Sequence, residues 1–148
     1  RSSAASDVYK RQVIKEAYFR RPSTTDYNGI YKGYYIDFDA KETRNKRSFP
    51  LKNFHEHQIR HMQECVRQGG ICFAFIKFTE LDLVYLLPAS TLIRYWDAQA
   101  NGGRKSILLT DIQQAGFPID YQLNPRLPYL QAVDQIIAAK NKGAYHVE

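Results

Sequence analysis

Three residues in the stretch TTDYNGIYKGYYIDFDAKET (24–43) have the types and spacing for hydrolytic chemistry: Asp26, Asp39 thirteen positions on, and Lys41 two beyond that. Carboxylates that converge on one point repel each other unless a divalent cation sits between them. Mg²⁺ suits that place, because it takes one or two carboxylates and keeps several waters. On a strand, residues two apart share a face. The Lys41 ammonium could therefore reach the same scissile phosphate and stabilise an attacking hydroxide. Asp-x-Lys alone is a weak signal that arises by chance. A loop aspartate before it and a basic loop after it sharpen it. The competing reading is a solvated hairpin face, on which alternating charges are ordinary. Asp37 lies on that face too, either as an outer partner of a metal site or as a solvated group paired near Lys32 or Arg44.

The elements that must position these groups follow from pattern. Lys32-Gly33 is a turn candidate, and YYIDFDAKE beyond it alternates strictly. Ile36, Phe38 and Ala40 then point one way, and Asp37, Asp39 and Lys41 the other. TRNKRSFP reads as a basic loop. A helix is expected from about Asn53 to Gln68, with Ile59, Met62 and Val66 as its apolar stripe and Gly69-Gly70 as its stop. ICFAFIKFT (71–79) is almost continuously apolar, as in a strand buried on both faces. LVYLL (83–87) reads as its hairpin partner. Ser90 or Thr91 could cap a helix running to about Gln99. NGGRKSIL is a loop leading into a short strand, and Thr110 is placed as the cap of a short helix ended by Gly116. Pro128 would start a last helix burying Leu130, Val133, Ile136 and Ile137. This order of elements implies an α/β domain, a mixed sheet flanked by helices, without repeats or a second domain.

Composition bounds the function classes. A chain of 148 residues with 44% apolar and 14% aromatic residues can bury one core, which excludes a disordered class. No apolar run approaches membrane-spanning length, so the expected location is the cytoplasm, without a membrane partner. Cys65 and Cys72 have no metal or disulfide spacing and read as small buried apolar residues. The charge is uneven. Residues 1–60 carry 13 Lys and Arg against 7 Asp and Glu, whereas residues 61–148 carry 8 of each. The excess positive charge thus lies beside the acidic stretch, which suits a polyanion such as nucleic acid. The basic loop places Arg44, Lys46, Arg47 and Lys52 directly after the Asp39 strand, with Arg104 and Lys105 as a second patch. In NFHEHQIRHMQE, His57 and His61 are spaced to chelate Zn²⁺, but no HExxH and no cysteine at ligand spacing supports them.

STTDYNGIYKGYYIDFDAKET, followed in order by FPLKNFHEHQIRHM, GGICF and GGRKSI, resembles the RecU family of Holliday-junction resolvases, from about Val13 to about Ala138. The resemblance implies a restriction-endonuclease-like fold and a Mg²⁺-dependent homodimeric endonuclease that nicks branched, four-way DNA symmetrically. Mn²⁺ is a possible substitute and a recombinase a possible partner, in a bacterial, nucleoid-associated setting. Carried over by position, Thr24, Asp26, Asp39 and Gln58 would contact the metal, and Lys41 would stabilise the transition state. Arg60 and the histidines then read as phosphate-facing or surface groups. The family usually has Glu where this chain has Asp39; the shorter arm would draw the metal towards the strand or leave a water between them.

Residues 13–22, VIKEAYFRRP, resemble the later half of that family's protruding stalk, with Lys15, Tyr18, Phe19, Arg20 and Arg21 suited to DNA. An amphipathic packing segment is the competing reading. The first dozen residues, RSSAASDVYKRQ, look foreign and are left out of the fold, as an artefact or disordered tail, so that 13–148 forms one nuclease domain with a partial stalk at about 13–23. The family's preceding helix and first strand are not recognisable, so an exposed sheet edge and an incomplete dimer surface are expected. Two other functions remain: a duplex nuclease without junction preference, and a DNA-binding or recombinase-modulating protein without catalysis.

Overall fold

A computed structural model describes residues 18–19, 27–119 and 127–143; of 18–19, 27, 127–131 and 143 it describes the backbone alone. Strands β2 (Tyr27–Tyr31) and β3 (Tyr34–Thr43) form the expected hairpin. Its two turn residues, Lys32 and Gly33, have φ of 50° and 84°. Two successive left-handed residues match the right-handed twist of the flanking strands, and glycine takes the second place without a Cβ penalty. The short β1 (Tyr18–Phe19) pairs with the outer edge of β2.

β3 runs parallel to β5 (Ile71–Phe78), so the chain must cross over between them. It does so through β4 (Ser48–Pro50), a 3₁₀ turn at Leu51–Asn53 and helix α1 (Glu56–Arg67). Gly69, at φ 98°, ends that passage. β6 (Leu83–Pro88) returns antiparallel to β5, and β8 (Phe117–Pro118) pairs with its far side. Among the described residues the sheet order is β1-β2-β3-β5-β6-β8. Helices α2 (Ala89–Ala100), α3 (Leu109–Ala115) and α4 (Leu127–Gly143) complete a mixed sheet flanked by helices, as expected of a restriction-endonuclease-like fold.

Each face of the sheet carries its own core. Ile36 and Phe38 of β3 join Phe73, Phe75, Val84, Leu86 and Val133 of α4, with Phe38 stacked on Phe73 at 5.1 Å. Cys72, Ala74, Ile76 and Phe78 of β5 face the other way, against Phe54, Ile59, Met62, Leu92 and Ile112. β5 is thus buried on both faces, which accounts for its unbroken apolar run.

Several expected boundaries move. The basic stretch is not all loop, since its end forms β4, which pairs with β7 (Ser106–Leu108) in a separate two-stranded ribbon. α1 begins at Glu56 rather than Asn53, because Leu51–Asn53 is taken by the 3₁₀ turn. Ser90, Thr91 and Thr110 cap nothing: α2 and α3 start after Pro88 and Leu108, whose extended backbones turn the chain without a side-chain cap.

Gly116 ends α3 as the sequence implies, for a steric reason. A Cβ there would lie 2.8 Å from the carbonyl oxygens of both Ile112 and Leu86. Both obstacles are backbone, so neither can swing aside. Gly116→Ala is expected to destabilise the domain by about 1–3 kcal/mol in urea unfolding. An unchanged midpoint would show that β6 and α3 approach less closely than this.

Candidate active site

The alternation of β3 decides what its charged residues meet. Asp37, Asp39 and Lys41 all project to the α1 side of the sheet, opposite Ile36 and Phe38. The face is covered, not solvated: Asp37 and Asp39 are both fully buried, and Lys41 is half-buried. Two contacts fix the alignment of strand and covering segment. The Asp37 carboxylate meets His61 Nε2 at 2.6 Å, and Lys41 Nζ stands 5.5 Å from the centre of the Phe54 ring. As the strand advances from 37 to 41, the covering chain therefore runs back from 61 to 54. Asp39 lies between the first pair of strand positions, and Gln58 between the second pair on the covering segment.

Gln58 is itself buried, at 6% exposure. Its Oε1 accepts the backbone N–H of His55 at 2.9 Å, which fixes the side chain at the start of α1. An amide oxygen keeps a second lone pair after one such bond. A buried carboxylate and a buried amide oxygen would together offer oxygens only, the donor type that suits a hard cation such as Mg²⁺ and not a soft one. The remaining expected ligands, Thr24 and Asp26, lie outside the described residues, as do Lys15, Arg20 and Arg21. Tyr18 and Phe19 are described only as the backbone of β1.

Asp37 corrects the expectation of a solvated group paired near Lys32 or Arg44. Its carboxylate accepts the Tyr35 hydroxyl at 2.8 Å besides meeting His61, and Cys65 Sγ lies 3.7 Å away. Burial pushes its pKa up, while the bonds from His61 and Tyr35 pull it down. Lys32 pairs with Asp134 instead, at 3.0 Å across the turn. His61 is correspondingly not a surface group or half of a His57–His61 chelate. His57 is exposed and its ring stacks on His55. Cys72 is buried as expected, but Cys65 is only half-buried and touches His61 Nε2 at 3.4 Å. The signal for this network was present in the sequence as His61 and Cys65, one helical turn apart on the flank of the apolar stripe.

The basic residues are placed more favourably than their sequence positions suggest. Arg44, Lys46, Arg47, Lys52, Arg104 and Lys105 are all exposed. The β4–β7 ribbon joins the two patches: Leu51 N–H bonds the Lys105 carbonyl at 3.0 Å, and Leu109 N–H the Arg47 carbonyl at 2.8 Å. The two basic patches, far apart in sequence, thus sit on neighbouring segments. Arg60 is exposed and bonds Glu56 at 2.6 Å one turn back. No helix among the described residues is long and apolar enough to cross a membrane.

Comparison with known proteins places the chain in a family. The family model described as Recombination protein U matches residues 3–135, a range that takes in most of the opening dozen as well. A protein of Limosilactobacillus reuteri named Holliday junction resolvase RecU is 83% identical over 128 residues, 86% of this chain and 63% of that protein. Its namesake from Limosilactobacillus fermentum is 66% identical over 135 residues, 90% of this chain and 64% of the relative. One from Pediococcus pentosaceus is 60% identical over 133 residues, 88% and 66% of the two chains. The chain therefore spans under two thirds of the length of these curated relatives.

Proposed function

Because this chain belongs to the RecU family, we propose that it carries the catalytic part of a divalent-metal-dependent endonuclease that cuts four-way DNA junctions during recombination and repair. The observation that supports this reading most directly is the row of Asp39 and Lys41 on a covered strand face, with buried Gln58 on the helix laid across it. Asp39, Gln58, Asp26 and Thr24 would hold Mg²⁺, or Mn²⁺ in its place. When bound there, the ion supplies Lewis acidity and positive charge at the scissile phosphate. Lys41 orients the attacking water with its ammonium and offsets the charge that builds on the phosphate oxygens. The apolar surround, including Phe54, limits competing solvent around that ammonium and so strengthens its field.

Arg44, Lys46, Arg47, Lys52, Arg104 and Lys105 would hold the DNA backbone. Contacts of this kind position a nucleic acid without reading its sequence, as junction recognition by shape requires. Lys15, Tyr18, Phe19, Arg20, Arg21 and Arg60 are further contacts on this reading, and a homodimer would bring two such centres to opposed strands. The protein would work in the bacterial cytoplasm, where its DNA lies.

A competition assay tests the substrate. A labelled four-way junction is expected to resist an excess of linear duplex, and its binding constant to fall steeply with salt. If six phosphates are contacted, the loss between 50 and 200 mM salt is on the order of 10³-fold. Equal affinity for junction and duplex would replace the junction-resolving function with that of a general duplex nuclease.

A further inference from the structure

Next to the oxygen donors, one turn further along α1, three side chains of different chemistry converge. The Asp37 carboxylate, the His61 imidazole and the Cys65 thiol each offer a ligand atom, all within 4.8 Å of one another. We propose that Asp37, His61 and Cys65 form a second metal site, selective for a borderline divalent cation of the zinc class.

The geometry is close to what such an ion needs. With metal–sulfur bonds of about 2.3 Å and metal–nitrogen and metal–oxygen bonds of about 2.0 Å, tetrahedral ligand atoms stand roughly 3.3–3.6 Å apart. Sulfur lies 3.4 Å from His61 Nε2, within that range, and 3.7 Å from the Asp37 oxygen, only slightly beyond it. Only the Asp37–His61 contact, at 2.6 Å, must open. That contact is a hydrogen bond, which the ion would replace by coordinating both partners.

The donors also choose the ion. A thiolate and an imidazole favour zinc-class metals, whereas Mg²⁺ prefers oxygens alone. The two centres, one strand step apart at Asp37 and Asp39, would thus sort hard from soft cations by ligand type. The ligands are held in advance: His61 and Cys65 lie one turn apart on α1, and the Tyr35 hydroxyl fixes the Asp37 carboxylate at 2.8 Å. An entry path exists, since the His61 side chain is 23% exposed and Cys65 is half-buried. Water can complete the coordination from that side. Binding forms metal–oxygen, metal–nitrogen and metal–sulfur bonds and releases the Cys65 proton to solvent.

The same three residue types could instead suggest a cysteine nucleophile with its base. Burial, with the adjacent Asp37 charge, pushes the Cys65 thiol up to about 11, which leaves too little thiolate for that role at neutral pH. A bound ion would tie β3 to α1, the two elements that carry Asp39 and Gln58, and would set their spacing.

Titrating this chain with Co²⁺ in Mg²⁺-free buffer tests the site. A thiolate-to-cobalt charge-transfer absorption is expected to saturate at one equivalent, to be bleached by Zn²⁺ and to persist in excess Mg²⁺. It should vanish in Cys65→Ala and His61→Ala and remain in Asp39→Asn. On the unsubstituted chain, Zn²⁺ should protect Cys65 from alkylation, read by peptide mass spectrometry. No absorption in the parent chain, an absorption surviving Cys65→Ala, or equal Cys65 labelling with and without Zn²⁺ would each overturn the proposal. None of these readouts depends on junction cleavage, so the nuclease reading can fail while this one stands, and the reverse.

Discussion

Lys41→Ala and Asp39→Asn are each expected to lower junction cleavage in Mg²⁺ by roughly 10²–10³-fold or more while leaving junction binding largely intact. Lys41 contributes one ammonium at the Phe54 end of the buried row. On the proposed mechanism its loss would delete charge stabilisation that is strongest in the transition state, so the rate should fall more than the affinity. Lys41→Arg should not restore it, because a planar guanidinium cannot occupy the place of a compact ammonium without changing the geometry. Asp39→Asn keeps the shape of the side chain and removes only the charge that would hold the ion. Asp39→Glu separates the roles further. In a site that is only core, an added methylene on a fully buried residue would cost about 1–3 kcal/mol and help nothing. In a metal site the longer arm should bring the carboxylate nearer the ion and raise the rate at limiting Mg²⁺. Cleavage at the parental rate by Lys41→Ala or Asp39→Asn would remove that residue from the chemistry altogether.

The parts of this fold legible in the sequence are those fixed by local rules. The turn at Lys32-Gly33, the alternation of β3 and the helix stop at Gly69 are all backbone requirements written over a few residues. The unbroken apolar run of β5 announced burial on two faces. What escaped was the nature of the charged face of β3. Strict alternation says that two faces differ; it does not say that the polar one is wet. That face is dry because α1 lies over it, a long-range fact that places His61 on a residue 24 positions earlier. The pattern alone therefore leaves open a solvated Asp37, although it is buried as completely as Asp39. The β4–β7 ribbon escaped for a related reason: its strands have three residues each, too few to carry a period. The ribbon also joins two basic patches that are more than 50 positions apart in sequence. Asp39 is legible in its spacing to Asp26 and Lys41, Gln58 only by family likeness, and the fold brings their elements together. Thr24 and Asp26 stand outside the described residues.

His61→Ala is expected to be the most damaging single change to stability, at about 3–5 kcal/mol in urea unfolding. Asp37 is fully buried, and burial drives its carboxyl towards the protonated form. His61 and Tyr35 oppose that with a bond each, at 2.6 and 2.8 Å. Removing the imidazole takes away the shorter of these two bonds from a buried carboxylate. The loss is expected at the lower end of the range, because His61 is partly exposed and water can enter the space it leaves. Tyr35→Phe should cost less, about 1 kcal/mol, since a neutral hydrogen bond is lost without stranding the charge. The double variant Asp37→Asn with His61→Ala distinguishes a true pair from two independent contacts. If the damage comes from the stranded charge, neutralising it should recover part of the loss, and the double variant should be more stable than the sum of the single effects predicts. Simple additivity, or a His61→Ala cost below about 1 kcal/mol, would mean that the contact does not hold β3 to α1. The same cycle read by junction cleavage then measures how far the hold of His61 on Asp37 is transmitted, one strand step away, to the carboxylate of Asp39.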